Sequence, residues 1–232
     1  MAKKKKKRVT RKELLKKPDE FITFTAKAFR FAETYKYQLT GLLTGLIILG
    51  LLAAGMRYFS NKAENAAFER LSRGRAKYQT LLKEMKPRKA LAEVAGDFEK
   101  ILANYSSKAG GKLARVIYAN MCYQAGLLDK AIALYRESLK DFNSHPFMKN
   151  LILSGLGYAH EDKNDVASAM QYFDMVAAGS DSIMKGDALF HLGRLHAVRG
   201  DPDESMEIYK QLIADPQNSI YLELVKEKLG SY

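Results

Sequence analysis

RGDPDESMEIYKQLI, at residues 199–213, is the third copy of a pattern that occurs first as AGLLDKAIALYRESL (125–139) and again as KNDVASAMQYFDMV (163–176). Aligned, the copies place Ala131, Ala169 and Ser205 at one position and Tyr135, Phe173 and Tyr209 four residues later, with offsets of 38 and 36 residues. Self-similarity at such a period marks supersecondary units that stack. Another helical segment precedes each copy: Leu156-Gly157 and Leu192-Gly193 match 36 residues apart, and Tyr118-Ala119 holds that place in the first copy. Small residues at 119, 157 and 193, and at 131, 169 and 205, let the two helices of a pair cross closely, while the aromatic fills the space beside the crossing. One pair leaves a face uncovered, so the pairs are expected to stack.

The surrounding chemistry points the same way. Apolar residues recur at three and four rather than alternating, so the region reads as all-α. Asp201, Pro202 and Glu204 supply a cap, a proline at the first helical position and a capping box, while Gly126 and Gly200 stand where the first helix of a pair must end. Turns at 143–146 and 179–182 absorb the long period, and Asp215-Pro216 closes the last copy. Residues 220–229 read as a closing helix with Glu223, Lys226, Glu227 and Lys228 on its outer face. Residues 91–105, with Phe98 and Leu102, read as the second helix of a degenerate earlier repeat.

Upstream, YQLTGLLTGLIILGLLAAGM (37–56) runs twenty residues without a charge. At about 1.5 Å per residue it reaches roughly 30 Å, the thickness of a bilayer's hydrocarbon layer. Thirteen Lys/Arg precede it and five fall in the twenty residues after it, which sets the amino terminus in the cytoplasm and exports the rest. The run is too long for an ordinary signal-peptide core and its basic leader too extended, so an uncleaved anchor is expected over a cleaved one. No cysteine follows closely, which argues against a lipoprotein anchor. Gly41 and Gly45, with Thr44 beside them, form a GxxxG at which another helix could dock. Lys3 to Arg8 is a run of six cations, expected to be disordered. Within 19–37, Phe21, Phe24, Ala28, Phe31 and Tyr35 share a helical face, suited to the lipid headgroup layer, to a membrane partner or to the ribosome.

The net charge of +12 is unevenly held: residues 1–36 carry +9 and residues 57–232 only +3. The exported part therefore lacks the basic surface of a nucleic-acid domain, and no nucleic acid is expected as a partner. Its one cysteine, Cys122, can form no internal disulfide and reads as a small buried apolar residue. No catalytic constellation is evident, so an enzyme is not expected. His191 and His196 lie on different faces; His160 and His196 occupy equivalent positions in adjacent repeats and could approach, but a third metal ligand is missing. Gly155-x-Gly157 lacks the third glycine and the strand of a dinucleotide loop. Neither a cofactor nor a metal is expected.

Leu192-Gly193, Gly200-Asp201, Ser205 and Tyr209 together resemble the tetratricopeptide repeat family, over about 111–216. Cys122, His160 and His196 stand where that family often has Tyr, and the period exceeds its usual length. The resemblance implies an all-α helical-hairpin solenoid after an N-terminal transmembrane helix, with protein partners held in a concave groove lined by the first helix of each pair. Carried over position by position, that groove would comprise Val116, Asn120, Tyr123 and Gln124, then Ser154, Tyr158, Glu161 and Asp162, then Phe190 and Arg194. The Lys/Asn set with which some members clamp a C-terminal carboxylate is missing. The expected organisation is a basic tail at 1–18, an amphipathic helix at 19–36, a transmembrane helix at 37–59, a helical stalk at 60–86 and the repeat domain with its capping helix at 87–232. This layout is similar to the ancillary subunit of the bacterial Sec translocon, an inner-membrane protein with a periplasmic repeat domain. That resemblance implies translocon subunits, envelope chaperones or exported chains as partners, and membrane lipid for the span and tail. The alternative is a scaffold for another envelope complex, in division, secretion or pilus assembly.

Overall fold

The computed structural model describes residues 20–179, 182–214 and 219–230, and among these every regular element is an α-helix. The basic tail at 1–18, the side chain of Phe21, part of the 179–182 turn and Asp215-Pro216 lie outside the described residues. The chain divides into two compact units, Met1–Ser60 and Asn61–Tyr232.

The first unit holds α1 (Glu20–Thr34) and the start of α2 (Lys36–Leu81). The expected aromatic face of α1 is uncovered, with Phe24 70% and Phe31 58% exposed. From Leu42 to Leu52 the apolar side chains of α2 are exposed on every side. A helix apolar all round cannot stand in water; it requires lipid or other helices around it. α2 is long and apolar enough to cross a membrane.

The second unit is the repeat array. After the end of α2 come α3 (Pro87–Tyr105), α4 (Ala109–Gln124), α5 (Leu128–Phe142), α6 (Pro146–Asp162), α7 (Val166–Ala177), α8 (Ser182–Arg199), α9 (Pro202–Ala214) and α10 (Ser219–Gly230). From α3 onward each helix packs on the next, and α4, α6, α8 and α10 also touch in turn, forming one row. The closing helix buries Val225 and leaves Glu223, Lys226 and Glu227 exposed, whereas Lys228 is half-buried.

Close crossing explains the stacking. A Cβ built on Gly157 would lie 2.7 Å from Phe173, and one on Gly193 only 2.4 Å from Tyr209. Both rings are fully buried, as are Tyr135 and Phe98 at the equivalent positions. Each such side chain contributes about 1.5–3 kcal/mol by leaving water. Ser205 takes the small position of the last pair because its buried hydroxyl donates to Gly193 O at 2.7 Å. The same contact recurs at the amino end, where Gly74 faces Phe98. The segment read as a stalk is therefore packed from Ala67 onward: Ala67, Leu71, Gly74 and Tyr78 are buried, and α2 serves as the first helix of an additional pair with α3. Glu64 of α2 also accepts from the backbone N–H groups of Ala109 and Gly110, at 3.1 and 2.7 Å, capping the start of α4.

The turns within the pairs repeat as well. Gly126, Asn164 and Gly200 adopt φ of 72°, 60° and 90°, and the residue after each donates its N–H back to Cys122, His160 or His196 O at 2.8–2.9 Å. This is the Schellman closure, for which glycine carries no Cβ penalty and asparagine a small one. Gly193→Ala should lower chain stability by about 1–3 kcal/mol through overpacking on Tyr209. Gly96→Ala, where a Cβ meets open space on a helix interior, should raise it by about 0.5–1 kcal/mol. Chemical denaturation of both variants, followed by circular dichroism, checks the opposite signs.

Candidate functional site: the inner helix row

Of the ten residues expected to line a groove, Val116 and Ser154 do not reach it. Both are buried, 2% and 8% exposed, because their side chains turn into the core between hairpins. The other eight lie along the α4, α6 and α8 row, half-buried or exposed.

Most of these polar groups bond to side chains of another helix, within a hairpin or across repeats. The Tyr135 hydroxyl donates to Asn120 Oδ1, and that of Tyr78 to Gln124 Oε1 at 3.4 Å. Burial first, then the neighbouring Asp162 carboxylate, push the Tyr123 phenol up to about 12. Asp187 accepts from two tyrosines, Tyr158 of α6 on one oxygen and Tyr221 of α10 on the other. Burial and that bond raise the pKa of Tyr158 well above the ordinary phenol value. Glu161 sits between Arg194 and His191, whose Nδ1 is 2.9 Å from Oε2.

The aromatic rings form a continuous surface through the same region. His191 stacks on Phe173 with centroids 5.0 Å apart and meets the Tyr158 ring edge-on at 5.0 Å. Phe190 stacks on Tyr221 at 4.7 Å. His191, Asp187 and Tyr221 are absent from the sequence-derived groove. Asp187 and His191 stand one helical turn apart, which was visible, but their partners lie about thirty residues away in sequence. Burial lowers the His191 pKa against the pull of the Asp187 and Asp162 carboxylates.

His160 and His196 each take a carboxylate of their own turn, His160 Nδ1 on Asp165 at 2.9 Å and His196 Nδ1 on Asp201 at 3.7 Å. Cys122, at the equivalent place in the first pair, is fully buried, and desolvation pushes its thiol up to about 11. A thiol so placed has little thiolate at neutral pH and is chemically quiet. In α2, a Cβ on Gly41 or Gly45 meets nothing, so both positions are open to an approaching helix.

The fold and this row define a repeat protein of helical hairpins. Tetratricopeptide repeat family profiles match residues 88–146 and, separately, residues 187–218. Over those two stretches the chain is thus similar to tetratricopeptide repeats. The hairpin α6–α7 lies between the two matches; the Gly157–Phe173 crossing closes it, and Tyr135 of the preceding hairpin packs into the space beside its Gly155. Among solved structures, the crystal structure of MamA is similar at 17% identity, covering 60% of this chain and 82% of that one with a TM-score of 0.41. No curated protein sequence matches the chain.

His191 gives the row a pH response. Its folded pKa lies below the unfolded value of about 6.5, so the stability it contributes is present above about pH 6.5 and is lost as pH falls toward the folded value. Between about pH 7 and about pH 5.5 the wild-type melting temperature should fall further than that of His191→Phe, which keeps a ring on Phe173 but cannot titrate. Equal responses would reject the assignment.

Proposed function

We propose that this chain is a membrane-tethered interaction subunit whose exported tetratricopeptide domain holds proteins along the α4, α6 and α8 row. The anchor is uncleaved, the amino terminus is cytoplasmic, and the repeat domain lies in the periplasm of a bacterial inner-membrane protein. The observation that carries this reading is an uncovered apolar helix, preceded by thirteen cations, leading into a repeat array. Cations resist translocation, so this order leaves the array on the far side.

Within that reading the chain serves as an ancillary subunit of the Sec translocon, linking export to envelope chaperones. Residues Asn120, Tyr123, Gln124, Tyr158, Glu161, Asp162, Phe190 and Arg194 supply the docking face, and no turnover is required of it. Gly41 and Gly45 are the positions at which a translocon helix would approach α2 within the membrane. The basic tail and the aromatic face of α1 hold anionic lipid on the cytoplasmic side.

Two measurements test this. Protease added to intact spheroplasts should remove the repeat domain and spare the amino terminus; a protected repeat domain would reject the topology. A photoreactive residue at Gln124 or Asp162, both exposed, should crosslink in membranes to translocon subunits or envelope chaperones. Crosslinks only to division, secretion or pilus components would replace the translocon assignment with a scaffold for that complex.

A further inference from the structure

The inner row is not uniform along its length. From α6 onward its polar groups are closed on one another: Asp187 by two tyrosines, Glu161 by Arg194 and His191. Between α2 and α4 the surface differs. A cleft of about 380 Å³ opens there, a volume in the range of ligand pockets. Leu113 and Ile117 form a half-buried apolar wall and Met121 the floor.

The polar groups facing this cleft are all donors or neutral amides. Asn120 and Gln124 each accept a tyrosine hydroxyl on the carboxamide oxygen, from Tyr135 and Tyr78, and their NH₂ groups stay available to donate. Gln79 adds a further amide, and Arg75 is exposed at the rim. The Arg75 guanidinium has no carboxylate partner among the described residues, and the lining includes neither Asp nor Glu. A guanidinium presents five N–H donors and accepts nothing, so its complement is an anion, best a carboxylate taken by two parallel bonds.

We propose that this cleft seats an extended segment of a partner protein in which apolar side chains alternate with carboxylates. An apolar side chain lies on Leu113, Ile117 and Met121, a neighbouring carboxylate meets Arg75, and the Asn120 and Gln124 amides donate to backbone carbonyls. The proposal rests on the inner row being a protein-docking face and specifies the chemistry of what docks. Farther along the row Glu161 is already paired with Arg194, and Asp162 and Asp187 repel the same charge, which restricts an acidic segment to the α2 end.

The test uses the full chain in phosphatidylcholine nanodiscs and a fluorescein-labelled peptide of alternating leucine and glutamate, amidated at its carboxyl end so that only side chains carry charge. Fluorescence anisotropy should show binding that weakens by about tenfold or more in Arg75→Glu, and similarly when glutamine replaces the peptide's glutamates. Arg75→Lys, which keeps the charge and loses the paired donors, should bind between wild type and Arg75→Glu, and a leucine–lysine peptide should gain affinity for Arg75→Glu. The cations of the amino-terminal segment are the same in every variant, so their attraction for the peptide is a constant background. Because Arg75 is exposed, its variants should keep the wild-type circular dichroism melting curve. Equal affinity in wild type and Arg75→Glu, a preference for the lysine peptide, or no binding would overturn the proposal. Crosslinks from Gln124 or Asp162 in membranes that persist unchanged in Arg75→Glu would keep the docking face and overturn its acidic ligand. Loss of crosslinks from every position on the row would remove both.

Discussion

The closeness of two helices at a glycine, with an aromatic ring beside the crossing, is the constraint from which the rest of this array follows. Where Gly157 meets Phe173 and Gly193 meets Tyr209, no Cβ fits between helix and ring. That closeness fixes the angle and depth of each hairpin, and the ring leaves a flank that only the next hairpin can cover. Tyr135 shows this directly: its ring occupies the space that a side chain at Gly155 of the following helix would need, 2.6 Å from the built Cβ. Side-chain volume thus propagates order along the array, one neighbour at a time.

A second layer of order is polar and lies on the inner row. Buried or half-buried phenols need acceptors, and Asp187 serves two of them, from α6 and from α10. Such bonds join hairpins that already touch through their cores, so they set register more than they add net stability. They also decide what the surface can recognise. Groups satisfied within the protein offer little to a ligand, whereas the α2 end of the row presents amide donors and the exposed Arg75 guanidinium, which has no carboxylate partner among the described residues.

The sequence made the hairpins legible because their determinants are local. Small residue, aromatic four later, positive-φ residue at the turn: each recurs within some forty positions, and each reappears in the structure with its bonds. The additional pair formed by α2 and α3 was only half visible. Its second helix carried Phe98, but its first helix continues from the apolar run, and Gly74 lies twenty-four residues before its ring instead of the sixteen found in the other pairs. The expectation of a stalk at 60–86 followed from a stretch without proline up to Pro87, and the changed spacing kept Gly74 out of the repeat pattern. Val116 and Ser154 were placed on the inner row by repeat position alone, and a rotation of a few tens of degrees about the helix axis turns such positions into the core.

By itself, the sequence determined an all-α repeat architecture and a helix apolar enough for a bilayer, since helix pairing and hydrophobic length are properties of short stretches. Which inner side chains remain available was settled only by the tertiary structure. Availability depends on partners about thirty residues or more away, as with Tyr158, Asp187 and Tyr221, or Glu64 at the start of α4. No local pattern encodes those meetings; they arise when stacked hairpins bring distant donors and acceptors within hydrogen-bond reach.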